Sequence, residues 1–171
     1  MVLSTPGKVG LAEDVAGHLG DRCAAILPTA RMHTPVEVTD EAMTTVEADR
    51  IDGLVAIGGG STTGLGKAIA YRTDLPQLVL PTTYSGSELM ADWYVGSGET
   101  MRRGVDAAAR PRTVIYDPDL THGLPQEVSG PSGMNALAHA VESLYSPNAN
   151  PVSSAMGAEG IRLLAENLPI V

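Results

Sequence analysis

The chain has 171 residues, of which 43% are hydrophobic, 20 are Asp or Glu and 11 are Lys or Arg, giving a formal net charge of -9. This hydrophobic content predicts a globular chain, and the acidic balance argues against nucleic-acid or membrane-surface partners, because phosphates attract basic faces. The single cysteine, Cys23, excludes an internal disulfide and a thiolate metal cluster, and no secretory or transmembrane stretch is visible. We therefore expect small-molecule partners and a reducing, cytoplasmic setting.

Apolar periodicity in the first half of the chain predicts strands alternating with helices. Strands are predicted at residues 1–4, 24–27, 54–57 and 77–80, and helices at 10–19, 39–48 and 63–71. The first helix carries an apolar face of Leu11, Val15 and Leu19, and Thr39 or Asp40 is expected to cap the second helix. This alternation predicts a parallel sheet with helices on both faces.

In the second half of the chain, the alternation of strands and helices gives way to a helical pattern. Residues 113–116 form another predicted strand, and the polar, glycine-containing stretch 96–112 is expected to hold a small hairpin. Helices are predicted from Pro131 and over 153–167, the first with an apolar stripe of Met134, Leu137, Ala138, Val141 and Leu144. We place a domain boundary within 122–129, so that residues 1–125 form a dinucleotide-binding domain and 126–171 begin a helical one. Two helices bury too little surface to stand alone, so we expect a chain cut short.

The most informative motif is Gly58-Gly59-Gly60-Ser61, which connects the apolar strand 54–57 to a helix. Glycines let a backbone approach a diphosphate closely, and the N–H groups and positive dipole end of the following helix favour its charge. The turn differs from a P-loop, because Ser61 replaces a glycine and Ala68 follows Lys67 where Ser or Thr would bind magnesium. It also departs from the Rossmann spacing, because Thr63 takes the third glycine position. It indicates a variant dinucleotide site or an ordinary glycine turn.

Two further segments carry polar side chains in informative positions. The loop 81–88, Pro-Thr-Thr-Tyr-Ser-Gly-Ser-Glu, follows a strand and could line a ligand, although Ser and Thr commonly make local turns and caps. Asn135, His139 and Glu142 share one helix face by their spacing. One amide and one imidazole make an incomplete metal shell, so a structural histidine is the alternative. The other histidines, which show no ligand spacing, are His18, His33 and His122.

Together with residues 114–121, these segments resemble the iron-containing (group III) alcohol dehydrogenase family, and its maleylacetate reductase branch in particular. The resemblance covers nearly the whole chain and is loosest between residues 96 and 110. It implies a Rossmann-like α/β domain followed by the first helices of an all-α domain, as in dehydroquinate synthase-like architectures, and a homodimer in full-length members. Relative to that family the chain lacks an N-terminal strand region and most of the helical domain.

The resemblance also implies roles for individual residues. The cofactor pyrophosphate would lie against Gly59, Gly60 and Ser61, its adenosine and nicotinamide side near Thr82, Thr83 and Ser85, and His139 would face the substrate cleft. Metal-binding members take ligands from an Asp and a His of this helix and from two later histidines. Asn135 occupies the Asp position here, as in the maleylacetate reductase branch, so we expect that no metal is required and that His139 is a ligand only if one is present.

The chemistry of the substrate makes this departure reasonable. Hydride addition to the carbon–carbon double bond of maleylacetate spreads charge over an enolate, which positioned hydrogen-bond donors and a proton source can stabilise without a metal. The nicotinamide carries the hydride, and Asn135 and His139 are the candidate catalytic residues. We predict NADH- or NADPH-dependent reduction of maleylacetate to 3-oxoadipate in the degradation of aromatic compounds.

Three points stay open at this level. The first strand ends in Ser4-Thr5-Pro6-Gly7 without the acidic residue that often holds the adenosine ribose, so NADH and NADPH are both expected to bind. A metal-dependent alcohol dehydrogenase is one alternative function. A catalytically inactive, truncated NAD-binding fragment is another.

Overall fold

The structure is a computed structural model that describes residues 1–96 and 101–170. The chain divides into two compact units. The first unit comprises Met1–Thr82 and Gly86–Leu120, and the second comprises Thr83–Ser85 and Thr121–Val171. The assignment of residues 1–125 and 126–171 to two functional domains stays a prediction.

The first unit contains the predicted alternation of strands and helices. Its strands are β1 (Val2–Leu3), β2 (Ile26–Leu27), β3 (Leu54–Gly58), β4 (Gln77–Pro81), β5 (Asp92–Val95), β6 (Arg102–Val105) and β7 (Thr113–Val114), and its helices are α1 (Val9–Leu19), α2 (Val36–Ala48) and α3 (Gly60–Thr73). Five strands form a parallel sheet in the order β2-β1-β3-β4-β7. The predicted α/β fold class is confirmed, with element bounds close to those predicted.

Helices cover both faces of this sheet, also as predicted. Val2 and Ile57 belong to one apolar cluster, against which Leu11, Val15 and Leu19 of α1 pack. The neighbouring strand residues, whose side chains point to the opposite face, belong to a second cluster with α2 and α3. Its members include Leu3, Val38, Val46, Leu54, Leu65 and Ile69.

Helix α3 lies deepest in the first unit, with every residue from Thr62 to Ala70 buried. Gly66 allows this close approach to the sheet. A Cβ atom at this position would lie 2.7 Å from Oε1 of the buried Gln77. The predicted helix is confirmed, and it begins three residues earlier than expected because Gly60 already has helical geometry.

The start of α2 differs from the prediction. The helix begins at Val36 with Pro35 as its N-cap residue, at φ -54°. The ring fixes this φ, whereas the ψ of 147° is still extended, so helical geometry begins with Val36. Thr39 lies buried inside the helix and its hydroxyl donates to the carbonyl of Pro35 at 3.2 Å. The expectation that Thr39 or Asp40 caps this helix was wrong.

The predicted hairpin is present, but its first strand lies before residue 96. Strands β5 and β6 pair antiparallel, with Trp93 opposite Gly104. The Trp93 ring stacks on Tyr71 of α3 with ring centroids 3.9 Å apart, so the hairpin packs on this helix. Residues 97–100, which the predicted hairpin includes, lie outside the described residues.

The second unit contains helices α4 (Gln126–Glu142) and α5 (Pro151–Asn167). Helix α4 begins five residues before the predicted start and runs through Pro131. Proline at this position removes the N–H that would bond the carbonyl of Glu127, and its ring crowds that carbonyl, yet the helix runs through it. The helical structure predicted from Pro131 onward is confirmed, whereas the earlier start of α4 was not predicted.

Helix α5 begins at Pro151 with a capping box. The Asn150 side chain accepts hydrogen bonds from the N–H groups of Val152 and Ser153, and the N–H of Asn150 donates to the Ser153 hydroxyl. These bonds satisfy N–H groups that the first helical turn leaves free, which explains a start two residues before the predicted one.

The two helices run antiparallel and approach closely at glycines. Gly133 of α4 lies against Leu168 just after α5, and Gly157 of α5 lies against Ala140 and Ser143 near the end of α4. Much of the predicted apolar stripe of α4 remains exposed, including Met134, Val141 and Leu144. Within residues 1–96 and 101–170, no helix has the length and hydropathy needed to cross a membrane.

Candidate functional site

The turn between β3 and α3 has a geometry that requires glycine at its first position. Gly58 ends β3 with a φ of +156°, and Gly59 is the N-cap residue of α3. A Cβ atom on Gly58 would lie 2.9 Å from Cβ of the buried Thr62 and still closer to its hydroxyl. The turn therefore depends on a missing side chain at Gly58.

The start of α3 offers unpaired hydrogen-bond donors. Among the described hydrogen bonds, none gives an acceptor to the N–H groups of Gly60 and Ser61, and no side chain caps the helix. Its first turn contains no acidic residue, and the buried hydroxyl of Thr62 has no partner. These donors and the positive end of the helix dipole suit a diphosphate.

The sheet register places one strand end on each side of this turn. Gly58 is paired with Pro81 of β4, and the N–H of Thr82 donates to the Gly58 carbonyl at 3.0 Å. On the other side Leu3 of β1 pairs with Ala56, two residues before Gly58, and Thr5 follows Leu3 by two residues. Ligands of parallel sheets bind outside the carboxyl ends of the strands, which is where Thr5, the glycine turn and Thr82 meet.

The remaining residues of the predicted loop site belong to the second unit. The N–H of Tyr84 donates to the Ser132 hydroxyl at 2.8 Å, and the side-chain amide of Asn135 donates to the Ser85 carbonyl at 3.2 Å. Two residues predicted from separate motifs, Ser85 and Asn135, are therefore in contact. The amide of Asn135 orients this part of the loop on α4.

His139 lies one turn after Asn135 on α4, with its side chain exposed. Its Nδ1 is 3.7 Å from Oε2 of Glu142, so the predicted helix face exists, with a loose polar pair on it. In the part of the chain that the structure describes, no group of three or more His, Cys, Asp or Glu residues could hold a metal ion. The described residues alone therefore do not form an iron site, and we derive no chemical step through a metal.

A buried cation in the middle of α3 was not predicted from the sequence. The side chain of Lys67 is fully buried in α3, and its Nζ donates to Asp92 Oδ1 at 2.9 Å and to the Ser87 hydroxyl at 3.1 Å. This ammonium ties α3 both to the hairpin and to the end of the loop 81–88. A lysine inside the apolar run 65–70 is the signal that indicates a buried ion pair here.

A second missed contact holds the same loop end. The Tyr116 hydroxyl donates to Oε1 of Glu88 at 2.9 Å, and Glu88 is buried. Desolvation, with the hydrogen bond to the carboxylate, raises the pKa of Tyr116 well above its usual range. The phenol therefore stays protonated. Its hydroxyl is the hydrogen-bond donor that holds the Glu88 carboxylate in place.

Two family models match this chain. Residues 1–118 match the model described as iron-containing alcohol dehydrogenase, and residues 130–171 match that of the C-terminal part of the Fe-containing alcohol dehydrogenase family. The resemblance inferred from the motifs is confirmed. Because the family description names iron, the matches give no support to the expectation that a metal is not required.

Individual relatives agree with the family models. The chain is 52% identical to the maleylacetate reductase of Burkholderia cepacia over 170 residues, which cover 98% of this chain and 48% of the relative. It is 50% identical to the maleylacetate reductase of Rhizobium sp. strain MTP-10005 over 173 residues, with 99% and 48% covered. The chain spans about half the length of the curated relatives it matches.

Solved structures give the same result for the fold. The crystal structure of maleylacetate reductase from Agrobacterium tumefaciens matches with a TM-score of 0.92 and 48% identity, covering 99% of this chain and 49% of that one. The structure from Rhizobium sp. strain MTP-10005 matches with a TM-score of 0.91 and 49% identity, covering 98% and 48%. With a family model over residues 1–118 and relatives this similar, the chain belongs to the iron-containing alcohol dehydrogenase family.

Proposed function

We propose that this chain is part of an NAD(P)H-dependent maleylacetate reductase, which reduces the carbon–carbon double bond of maleylacetate to give 3-oxoadipate. The observation that carries the proposal is its similarity to maleylacetate reductases of several bacteria, which are 43–52% identical over 94% or more of the chain. The reaction is a step in the degradation of aromatic compounds. A small dicarboxylate substrate agrees with the expectation of small-molecule partners.

The first unit would bind the cofactor. When bound, the reduced nicotinamide supplies the hydride, and the protein orients it. The free N–H groups of Gly60 and Ser61 would hold the diphosphate at the start of α3, with Gly59 giving the backbone a close approach. Thr82, hydrogen-bonded beside Gly58, would contact the dinucleotide on the β4 side.

The second unit would supply polar groups for the substrate. Hydride addition leaves negative charge on the enolate oxygen, and hydrogen-bond donors lower the energy of that state before a proton adds at carbon and completes the reduction. The Asn135 amide and the His139 imidazole are the groups we assign to this role, with Thr83 and Ser85 on the adjoining loop segment. Asn135 keeps one amide N–H on the Ser85 carbonyl, which holds its side chain in place.

A binding titration followed by an activity assay on the same sample tests the proposal. Purified protein is titrated with NADH by nicotinamide fluorescence, and maleylacetate is then added while the nicotinamide absorbance is followed. Binding followed by substrate-dependent loss of absorbance supports the reductase. Gly58→Ala, which blocks the turn, is the control for binding at this site. Absence of binding of both NADH and NADPH by folded protein would contradict the proposal.

The inactive fragment remains the second candidate, favoured by one observation. The chain spans about half the length of the relatives it matches. Dinucleotide binding without turnover in the same experiment supports this reading. Turnover at a rate proportional to protein concentration contradicts it.

A metal-dependent alcohol dehydrogenase is the third candidate, because the matching family model is named for iron. We predict that Asn135→Asp binds no stoichiometric iron or zinc, since a carboxylate at this position with the exposed His139 and Glu142 on the same helix face makes an incomplete, solvent-open coordination shell. Metal analysis of the purified variant, after incubation with Fe²⁺ or Zn²⁺ and gel filtration, measures this. One equivalent of bound metal would contradict the prediction and would support the metal-dependent alcohol dehydrogenase.

We also propose a cytoplasmic setting and, for the full-length relatives, a homodimer. The setting is supported by Cys23, the single cysteine, which is unpaired in this chain. Expression with a reporter fusion, followed by cell fractionation, tests the setting.

A further inference from the structure

The carboxyl end of β1 lies in a part of this acidic chain that carries no carboxylate. Residues 1–12 and 22–36, which form β1, β2 and the segments after them, contain none of the 20 Asp and Glu residues. They contain Lys8, Arg22 and Arg31 instead. Lys8 and Arg31 follow the carboxyl ends of β1 and β2, the same edge of the sheet as the glycine turn, whereas Arg22 precedes β2.

Arg31 has a defined place next to the end of β1. The N–H of Ala30 donates to the Ser4 carbonyl at 3.0 Å, which brings the residue before Arg31 onto the strand end. The Arg31 carbonyl accepts from the N–H of Thr34 at 3.2 Å, in a turn where His33 and Thr34 have positive φ angles. The buried Thr34 in turn accepts from the N–H of Gly96, so both sides of Arg31 are held by the backbone.

The side chain of Arg31 is exposed, and the described hydrogen bonds and ion pairs do not include its guanidinium. Lys8 closes the turn after β1 through its N–H, which donates to the Thr5 carbonyl at 3.0 Å. Thr5 lies two residues after Leu3, which pairs with Ala56 of the strand that ends at Gly58. Two cations thus flank the end of the strand next to the one that carries the glycine turn.

In dinucleotide-binding folds, a carboxylate near such a strand end binds the ribose 2′-hydroxyl and repels a 2′-phosphate, whereas an arginine there binds the phosphate. Guanidinium–phosphate contacts are charge-assisted and often bidentate. The net charge of -9 repels phosphates elsewhere on the surface, which makes a local cation pair more selective.

We propose that Arg31, assisted by Lys8, is a specificity-determining residue that binds the 2′-phosphate of NADPH, so that this chain binds NADPH more tightly than NADH. The inference rests on the proposed function of the glycine turn as a dinucleotide site. It goes further by assigning the cofactor choice to a residue of the loop after β2.

Dissociation constants for NADPH and NADH, measured by fluorescence titration of the whole chain, test the assignment. We expect Arg31→Ala to weaken NADPH binding about tenfold or more and to leave NADH binding within about twofold, because only NADPH carries the phosphate. Arg22→Ala is the matched control, since this exposed arginine lies near the amino ends of the strands with Asp52 and Pro76. It should change neither constant.

A second probe removes the nicotinamide from the comparison. Adenosine 2′,5′-bisphosphate should displace bound NADPH at lower concentration than ADP, and raised salt should reduce that difference. The converse variant Thr5→Asp should favour NADH. Equal affinity of the wild-type chain for NADPH and NADH, or an unchanged ratio in Arg31→Ala, would overturn this inference alone. Binding of neither dinucleotide would overturn it together with the proposed function.

Discussion

At Gly58, one absent Cβ atom decides whether β3 can pass into α3. The residue combines a φ of +156° with a close approach to the buried Thr62. Both features exclude a side chain, one by backbone conformation and the other by space. The turn that requires glycine at position 58 also leaves the N–H groups of Gly60 and Ser61 without acceptors.

We expect Gly58→Ala to lower the free energy of unfolding by about 2 kcal/mol, since overpacking and an unfavourable φ add. Urea denaturation gives this value, and NADH titration of the folded fraction should show lost binding. The matched control is Gly17→Ala in α1, where an added Cβ meets nothing within 4 Å. That variant should gain up to about 1 kcal/mol from helix propensity. Equal effects of the two substitutions would contradict the argument.

Two tyrosines make the first unit sensitive to alkaline pH. Burial and the bond to Glu88 raise the pKa of Tyr116, and burial with the nearby Asp92 raises the pKa of Tyr94. Below pH about 10 both the folded and the unfolded chain keep these protons. Above it only the unfolded chain releases them, so the free energy of unfolding should fall as the pH rises.

Tyr116→Phe should make this alkaline decline shallower, because phenylalanine has no proton to lose. At neutral pH the variant should be less stable by about 1 kcal/mol, the usual cost of one lost hydrogen bond. Urea denaturation between pH 7 and about 11 measures both effects. A decline as steep in the variant as in the wild type would show that Tyr116 is not its source.

Among the secondary-structure elements, α3 depends on an ion pair that is buried on one side only. The Lys67 side chain is 0% exposed and that of Asp92 is 39% exposed. Removing the aspartate leaves a buried ammonium without its counter-charge, whereas removing the lysine leaves a carboxylate that water can reach. The loss of the aspartate should therefore cost more stability than the loss of the lysine.

We expect Asp92→Ala to cost about 3 kcal/mol of unfolding free energy and Lys67→Met clearly less. The double variant should resemble Lys67→Met, because no unpaired ammonium remains. Asp40→Ala is the matched control, since it breaks the exposed 2.7 Å pair with Arg72 at the other end of α3 and should cost less than about 1 kcal/mol. A greater loss in Lys67→Met than in Asp92→Ala would reverse this interpretation.

The elements themselves follow from local signals, which explains what the sequence predicts well. Apolar runs ending in glycines locate β3 and the start of α3, and helical periodicity locates α1 and α5. The Lys67–Asp92 and Tyr116–Glu88 contacts join residues 25 and 28 positions apart, so no local pattern reveals them. Of the site, the glycine turn could be predicted in detail, whereas the partners that hold its neighbours could not.

The errors have physical causes of the same kind. Thr39 has the side chain of a helix cap, but the ring of Pro35 sets the helix start, and packing buries Thr39. Pro131 is typical of a first helical turn, yet α4 begins five residues before it, at the loss of the hydrogen bond to the Glu127 carbonyl. For Thr39, burial outweighs the residue's usual preference for a cap position.

For the whole molecule, the apolar surface of the second unit predicts self-association. Large apolar side chains of this unit are exposed, among them Met134, Tyr145, Val152, Met156 and Ile170. Apolar surface of this extent favours contact with another chain. We expect the purified chain to form dimers or larger assemblies at micromolar concentration.

Light scattering against protein concentration measures that association. Met156→Glu should reduce it, because Met156 is 71% exposed on α5 and a charge there opposes burial. Glu13→Gln on the exposed surface of α1 is a control that should leave it unchanged. A monodisperse monomer in the wild-type chain would contradict the expectation.

The stacked pair of Trp93 and Tyr71 gives this chain an optical reporter. Trp93 is the only tryptophan, so the tryptophan emission arises entirely from the first unit, at the junction of β5 and α3. Circular dichroism in the far ultraviolet instead sums the helices of both units. If the two signals change at different urea concentrations, the units unfold separately, and the free energy of each can be obtained from one titration without labelling.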